Sequence, residues 1–165
     1  MARVIRSLAA VACIALTVRA ESRIWTEASS GEPGEIVTVI IHATTDAPFR
    51  AMDVMFAFDS RTFTFIDADF TTSALAGVAE ELGYIDRSAA GVIIVRSYVY
   101  FYLGTPFPPT EAWEFARLRL RVRSGAAAGE YAAGAVKSVP GDPASTCLEM
   151  TNSAGCVPVA IVPGT

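Results

Sequence analysis

The sequence predicts an all-β protein, an antiparallel two-sheet sandwich, and three observations carry that prediction. Apolar residues recur at every second position, the mark of a strand with one buried face. The clearest case is residues 51–58, where Met52, Val54, Phe56 and Phe58 alternate with less apolar neighbours. Turn-forming clusters then divide the chain at regular intervals: residues 31–34 (GEPG), 46–48 (DAP), 104–110 (GTPFPPT), 124–129, 140–143 (PGDP) and 152–155. Many short strands separated by such residues make a sandwich or a barrel. Finally, no window sustains a helical period.

Nine strands are expected, in order. The first covers residues 24–27 and the second 36–43, between the first two turn clusters. The third is 51–58. Asp59-Ser60-Arg61 follows it as a tight connection, because Asp and Ser side chains bond to nearby backbone amides. Phe63, Phe65 and Ile66 then open the fourth, 63–68. The fifth, 78–85, is weak, and residues 74–82 could form a short helix instead. The sixth, 92–103 (VIIVRSYVYFYL), places Ile93, Val95, Val99 and Phe101 on one face and Arg96, Tyr98, Tyr100 and Tyr102 on the other. The seventh, 113–123, alternates Arg117, Arg119, Arg121 and Arg123 with Leu118, Leu120 and Val122, and Trp113 precedes it as a core or rim plug. Residues 131–139 and 157–162 complete the set.

The first twenty residues read as a secretory signal peptide. Arg3 and Arg6 precede a short apolar stretch, residues 8–16, and Val18-Arg19-Ala20 offers a cleavage site after Ala20. That stretch is shorter than the roughly 20 apolar residues of a spanning helix. A rival reading makes Cys13 a lipoprotein cysteine, but Ala10-Val11-Ala12 is a poor lipobox. Residues 21–165 then form one domain, secreted and extracellular. Cleavage removes three of the 13 basic residues and none of the 17 acids, so the mature charge is −7. Such a protein is a poor partner for nucleic acid or anionic membrane. Two cysteines remain, Cys147 and Cys156. A secreted context favours a disulfide between them across the turn at 151–155. The alternative, a metal pair, lacks the His or further Cys of a zinc site.

Three segments in order resemble the cohesin family. Gly34-Glu35-Ile36-Val37-Thr38-Val39 is similar to the opening of a cohesin's second strand. Residues 56–65 (FAFDSRTFTF) look like its aromatic-Asp-Pro turn into the fourth strand, with Ser60 in place of the Pro. Residues 114–122 (EFARLRLRV) followed by Gly129-Glu130-Tyr131 resemble its penultimate segment. The match spans about residues 22–162. The resemblance implies a nine-stranded jelly-roll sandwich related to cellulose-binding modules. It also implies a non-catalytic module that binds dockerins, which carry paired calcium loops, in extracellular polysaccharide degradation. No cofactor is implied.

The candidate partner-binding residues are Asp53, Arg96, Tyr98, Tyr100 and Tyr102. Tyrosine offers large contact area with a polar tip, which suits recognition. In the cohesin-like topology strand six lies beside strand three, whose outward positions are Ala51, Asp53, Met55 and Ala57, on the sheet face cohesins use. Asp53 falls where cohesins often place an Asp that contacts the partner. The partner is a dockerin-type protein or, alternatively, a polysaccharide stacked on the tyrosines. Three tyrosines at every second residue lie roughly 7 Å apart, closer than a disaccharide repeat, which favours protein. Exposed tyrosines also stabilise strands without binding anything.

Catalysis finds little support. His42 is the only histidine and is expected as an exposed strand-end residue, which argues against a hydrolase triad or a His-metal site. Asp67 and Asp69 share a strand face and could attract calcium, but no Asp-x-Asp-x-Asp-Gly loop accompanies them. The arginine stripe is expected as a solvated face balanced by neighbouring acids.

Overall fold

The computed structural model describes residues 21–98, 107–108, 110–127, 129, 131–151 and 155–162. The predicted leader, residues 1–20, lies outside them. Among the described residues eleven strands form, where the sequence predicts nine: β1 (Arg23–Thr26), β2 (Ile36–Thr45), β3 (Phe49–Phe58), β4 (Phe63–Asp69), β5 (Glu81–Arg87), β6 (Val92–Tyr98), β7 (Thr110–Val122), β8 (Ala133–Val136), β9 (Cys147–Met150), β10 (Cys156–Pro158) and β11 (Ala160–Ile161). One sheet runs β11-β1-β2-β7-β4. The other runs β10-β9-β3-β6-β5, with β8 paired to the rest of β3's edge. The steps from β2 to β3, β3 to β4, β4 to β5, β6 to β7, β7 to β8 and β10 to β11 each cross from one sheet to the other. The fold is therefore a jelly-roll sandwich.

The core is what the alternation predicts. Met52, Val54, Phe56 and Phe58 point inward from β3, Ile93 and Val95 from β6, and Leu118, Leu120 and Val122 from β7. Trp113 is buried, as expected of a plug. It packs against Phe49, Phe107 and Phe115 with ring centroids 6.0, 5.3 and 5.9 Å away. The Asp59 connection is the anticipated turn: the Asp59 carboxylate accepts the Arg61 amide at 2.9 Å, and the Asp59 carbonyl accepts the Thr62 amide at 3.0 Å. Gly91 joins the other ends of β3 and β6. It takes φ +73°, and a Cβ there would lie 2.3 Å from the Phe58 carbonyl oxygen, so only glycine fits.

The strand count differs for a physical reason. The predicted eighth strand pairs with β3 over only four residues, because the chain leaves the sheet after Val136 and returns at Cys147. The predicted ninth divides at Val159 into β10 and β11, which join opposite sheets. The weak fifth begins later than predicted, at Glu81. Residues 74–78 form turns that seat Leu75 in the core, and no helix forms there.

On the outer face of the five-stranded sheet two of the four arginines of the stripe are balanced by acids as expected, while Arg123 donates to the Ser60 carbonyl at 3.0 Å. Arg119 forms a two-point pair with Asp67, its cross-strand partner. Arg117 donates to Glu114 at 2.8 and 2.9 Å. Asp69 accepts the Thr71 amide at 2.8 Å. His42 corrects its prediction: it sits within β2, its side chain only 18% exposed. Its Nε2 lies 2.7 Å from Glu27, and its ring stacks on Trp25 at 5.4 Å. The cause is register, which sets His42 directly opposite Trp25.

Candidate recognition surface

Registry across the six-stranded sheet arranges its outer face in four rows. Residues directly opposite one another share a face, and successive rows lie about 7 Å apart. The first row reads Cys156, Glu149, Ala51, Tyr98, Glu81. The second reads Pro158, Cys147, Asp53, Arg96, Gly83. The third holds Val136, Met55, Ile94 and Ile85, and the fourth Gly134, Ala57, Val92 and Arg87. So the sequence reading brings Asp53, Arg96 and Tyr98 together on two adjacent strands. Tyr100 and Tyr102 lie outside the described residues.

Asp53 and Arg96 face each other across β3 and β6 and pair at two points, 3.2 and 2.8 Å. The hydrogen bonds that Arg96 donates to Asp53 raise its pKa further, burial opposes this, and the charges of Asp53 and Glu81 add to the rise. Arg96 therefore carries a fixed positive charge. Gly83, beside Arg96 on β5, presents no side chain, and a Cβ there would meet nothing within 4 Å. Around Asp53 and Arg96 lies a depression of about 230 Å³ whose lining includes Tyr98, Glu81, Glu149 and the cystine.

One end of this half is held by two devices. Phe49 pairs with Met150 and Ala51 with Glu149, so Arg50 forms a β-bulge. The Arg50 guanidinium donates to the Thr151 carbonyl at 2.6 Å and approaches Glu149 to 3.7 Å. Cys147 and Cys156 form the expected disulfide, with Cα atoms 5.5 Å apart. It ties β9 to β10, the sheet's edge strand.

The third and fourth rows correct the expectation that Met55 faces outward into solvent. Met55, Val92 and Ile94 are buried, flanked by Ile85 and Val136 in the sheet and packed against Val139 and Ala144. The segment between β8 and β9 crosses over them as a strap. A signal for this existed in the sequence: Val92-Ile93-Ile94-Val95 is apolar at four consecutive positions, the pattern of a strand covered on both faces. Among the described residues no group of three or more His, Cys, Asp or Glu is placed to hold a metal ion.

No protein-family model and no curated relative matches the sequence. Solved structures do match. The cohesin CaCohA2 of Clostridium acetobutylicum, in solution, is 18% identical with a TM-score of 0.62, covering 87% of this chain and 91% of that one. The same cohesin in complex with the dockerin CaDoc0917 gives 19% and 0.65, covering 86% and 94%. The third cohesin of ScaC from Acetivibrio cellulolyticus, in complex with the ScaB dockerin, gives 16% and 0.65, covering 87% and 94%. At these identities the likeness is one of fold: this chain is a cohesin-like module, folded as a cohesin is.

Proposed function

We propose that this protein is a secreted, non-catalytic recognition module that binds a dockerin-type protein through the open half of its six-stranded sheet. The observation that carries the reading is the cluster of Asp53, Arg96 and Tyr98 on one exposed patch of a cohesin fold. Two structures of similar fold are complexes with dockerins. Tyr98 supplies amphipathic contact area, and the Asp53–Arg96 pair offers fixed donors and acceptors without the entropy cost of ordering two long side chains on binding. The leader at residues 1–20, cut after Ala20, and the disulfide both fit an oxidising extracellular setting. There the module joins its partner to polysaccharide degradation.

The test is calorimetric titration of the protein with calcium-loaded dockerin modules from the same source. Binding to at least one, weakened tenfold or more by Tyr98→Ala and abolished by chelation of the dockerin's calcium, supports the reading. No binding to any of them, or equal binding by Tyr98→Ala, overturns it.

A further inference from the structure

The strap between β8 and β9 has an internal organisation. Ser138 bridges Ser145 as in a small hairpin, and Gly141 takes φ +82° in the turn between them. The Asp142 amide donates to the Val139 carbonyl at 3.0 Å, and the Asp142 carboxylate accepts the Ala144 amide at 2.9 Å. Thr146 anchors one end. Its hydroxyl donates to the Val136 carbonyl at 2.6 Å and accepts the Met55 amide at 2.8 Å, filling the gap in β3's edge between β8 and β9. Asp142 then pairs with Arg87 on β5, the opposite edge of the sheet. The strap thus spans the third and fourth rows from one edge to the other.

What lies beneath it is apolar, and what it shows to solvent includes Lys137, Ser138 and Ser145. Met55, Val92 and Ile94 are 0%, 3% and 1% exposed. Bare, they would form an apolar platform next to the Asp53–Arg96 row, the kind of surface that associates with unselected partners. The strap's exposed residues are Lys137, Ser138, Pro140, Gly141, Pro143 and Ser145. Lysine and serine are depleted from interfaces.

We propose that residues 137–146 are a built-in cover that confines docking to the rows of Tyr98 and Arg96 and withholds the apolar half of the same face. This rests on the recognition reading above and adds the boundary of the footprint. The partner meets Ala51, Asp53, Glu81, Arg96 and Tyr98, stops at the strap, and never touches Met55 or Ile94.

The test removes the cover. The Thr146 amide already donates to the Lys137 carbonyl at 2.9 Å, the closing bond of a two-residue hairpin. Residues 138–145 are therefore replaced by Asn-Gly. Three quantities are compared with wild type: fluorescence of the apolar dye anilinonaphthalene sulfonate, sedimentation, and affinity for the dockerin found by titration. The expected result is a severalfold rise in dye fluorescence with self-association, and dockerin affinity within threefold of wild type. Unchanged dye binding by a folded variant overturns the cover. A tenfold loss of dockerin affinity overturns the boundary, because the strap is then part of the footprint. If the shortened chain does not fold, the double variant Arg87→Ala, Asp142→Asn loosens the strap at its far end, and the same readouts decide in the same directions. Failure of wild type to bind any dockerin sinks the recognition reading, while the dye and sedimentation measurements judge the cover separately.

Discussion

The two outer faces of the sandwich meet solvent in different ways. The five-stranded sheet carries charges that satisfy one another: Arg119 with Asp67, Arg117 with Glu114, and His42 between Glu27 and Trp25. Among the described residues the six-stranded sheet carries two cross-strand ion pairs, Asp53 with Arg96 and Arg50 with Glu149, an exposed Tyr98, and a strap over Met55, Val92 and Ile94. A face half covered and half bare has a defined area where contact can occur. The difference teaches that position on the fold alone does not make a docking surface; what the neighbouring segments leave uncovered does.

The largest expected effects compare the two sides of β3. Met52 faces the main core and Met55 the small cluster under the strap, and both are buried. Met52→Ala and Met55→Ala should each cost about 2–5 kcal/mol in urea unfolding. In the Asn-Gly strapless protein the cost of Met55→Ala should fall to under about 1 kcal/mol, because the site is then wet. An undiminished cost there would show that the strap is not what buries Met55.

Removing the disulfide should come next. In the chain-entropy model a loop of this length is worth about 2–3 kcal/mol, so Cys147→Ser with Cys156→Ser should lower stability by about that much. Amide exchange should accelerate at β9 and β10 before β2 or β7, since β10 is an edge strand.

Acid should separate the faces further. Hydrogen bonds from Arg119 hold the Asp67 carboxyl below its usual range, and those from the Thr71 amide and hydroxyl do the same for Asp69. Burial pushes Glu114 up, but hydrogen bonds from Arg117 and Thr72 outweigh it and the net shift is downward. A carboxyl with a depressed folded-state pKa binds protons less readily than the unfolded chain does. Its stabilisation is therefore complete above about pH 5 and disappears as pH falls through the folded value. Asp67→Asn should flatten the acid limb of a stability–pH curve while leaving dockerin affinity at pH 7 unchanged. An unaltered acid limb would contradict the pairing.

The smallest stability effects lie on the candidate surface. The Asp53–Arg96 pair is half exposed, so Asp53→Ala should change stability by less than about 1 kcal/mol, yet weaken dockerin binding tenfold or more. Arg121→Ala, on the opposite face, should do neither, with stability within about 0.5 kcal/mol of wild type.

Much of this was legible in the sequence, because period-two alternation is a direct record of which side of a strand meets the core. Met52, Val54, Phe56 and Phe58 on β3, and the arginines of β7, fell on the faces their alternation assigns. The cystine followed from two cysteines at the ends of a turn. What alternation cannot record is cover supplied from a distance. Met55 was read as outward, which it is, but the segment that buries it lies more than 80 residues further along the chain. His42 was misjudged for the same reason, since its contacts to Trp25 and Glu27 exist only once β1 pairs with β2. The anticipated disulfide and the unanticipated Arg50 bulge frame a site for which the sequence offered Asp53, Arg96 and the tyrosine row.

The central claim is that one half of one sheet face is the docking surface. Hydrogen–deuterium exchange of the protein alone and saturated with a dockerin that binds it in the titration tests this most directly. The account predicts slowed exchange confined to residues 50–53, 81–83 and 96–98, with residues 117–121 and the strap at 137–146 unchanged. Protection centred on β2 and β7, or spread across the strap, would contradict it.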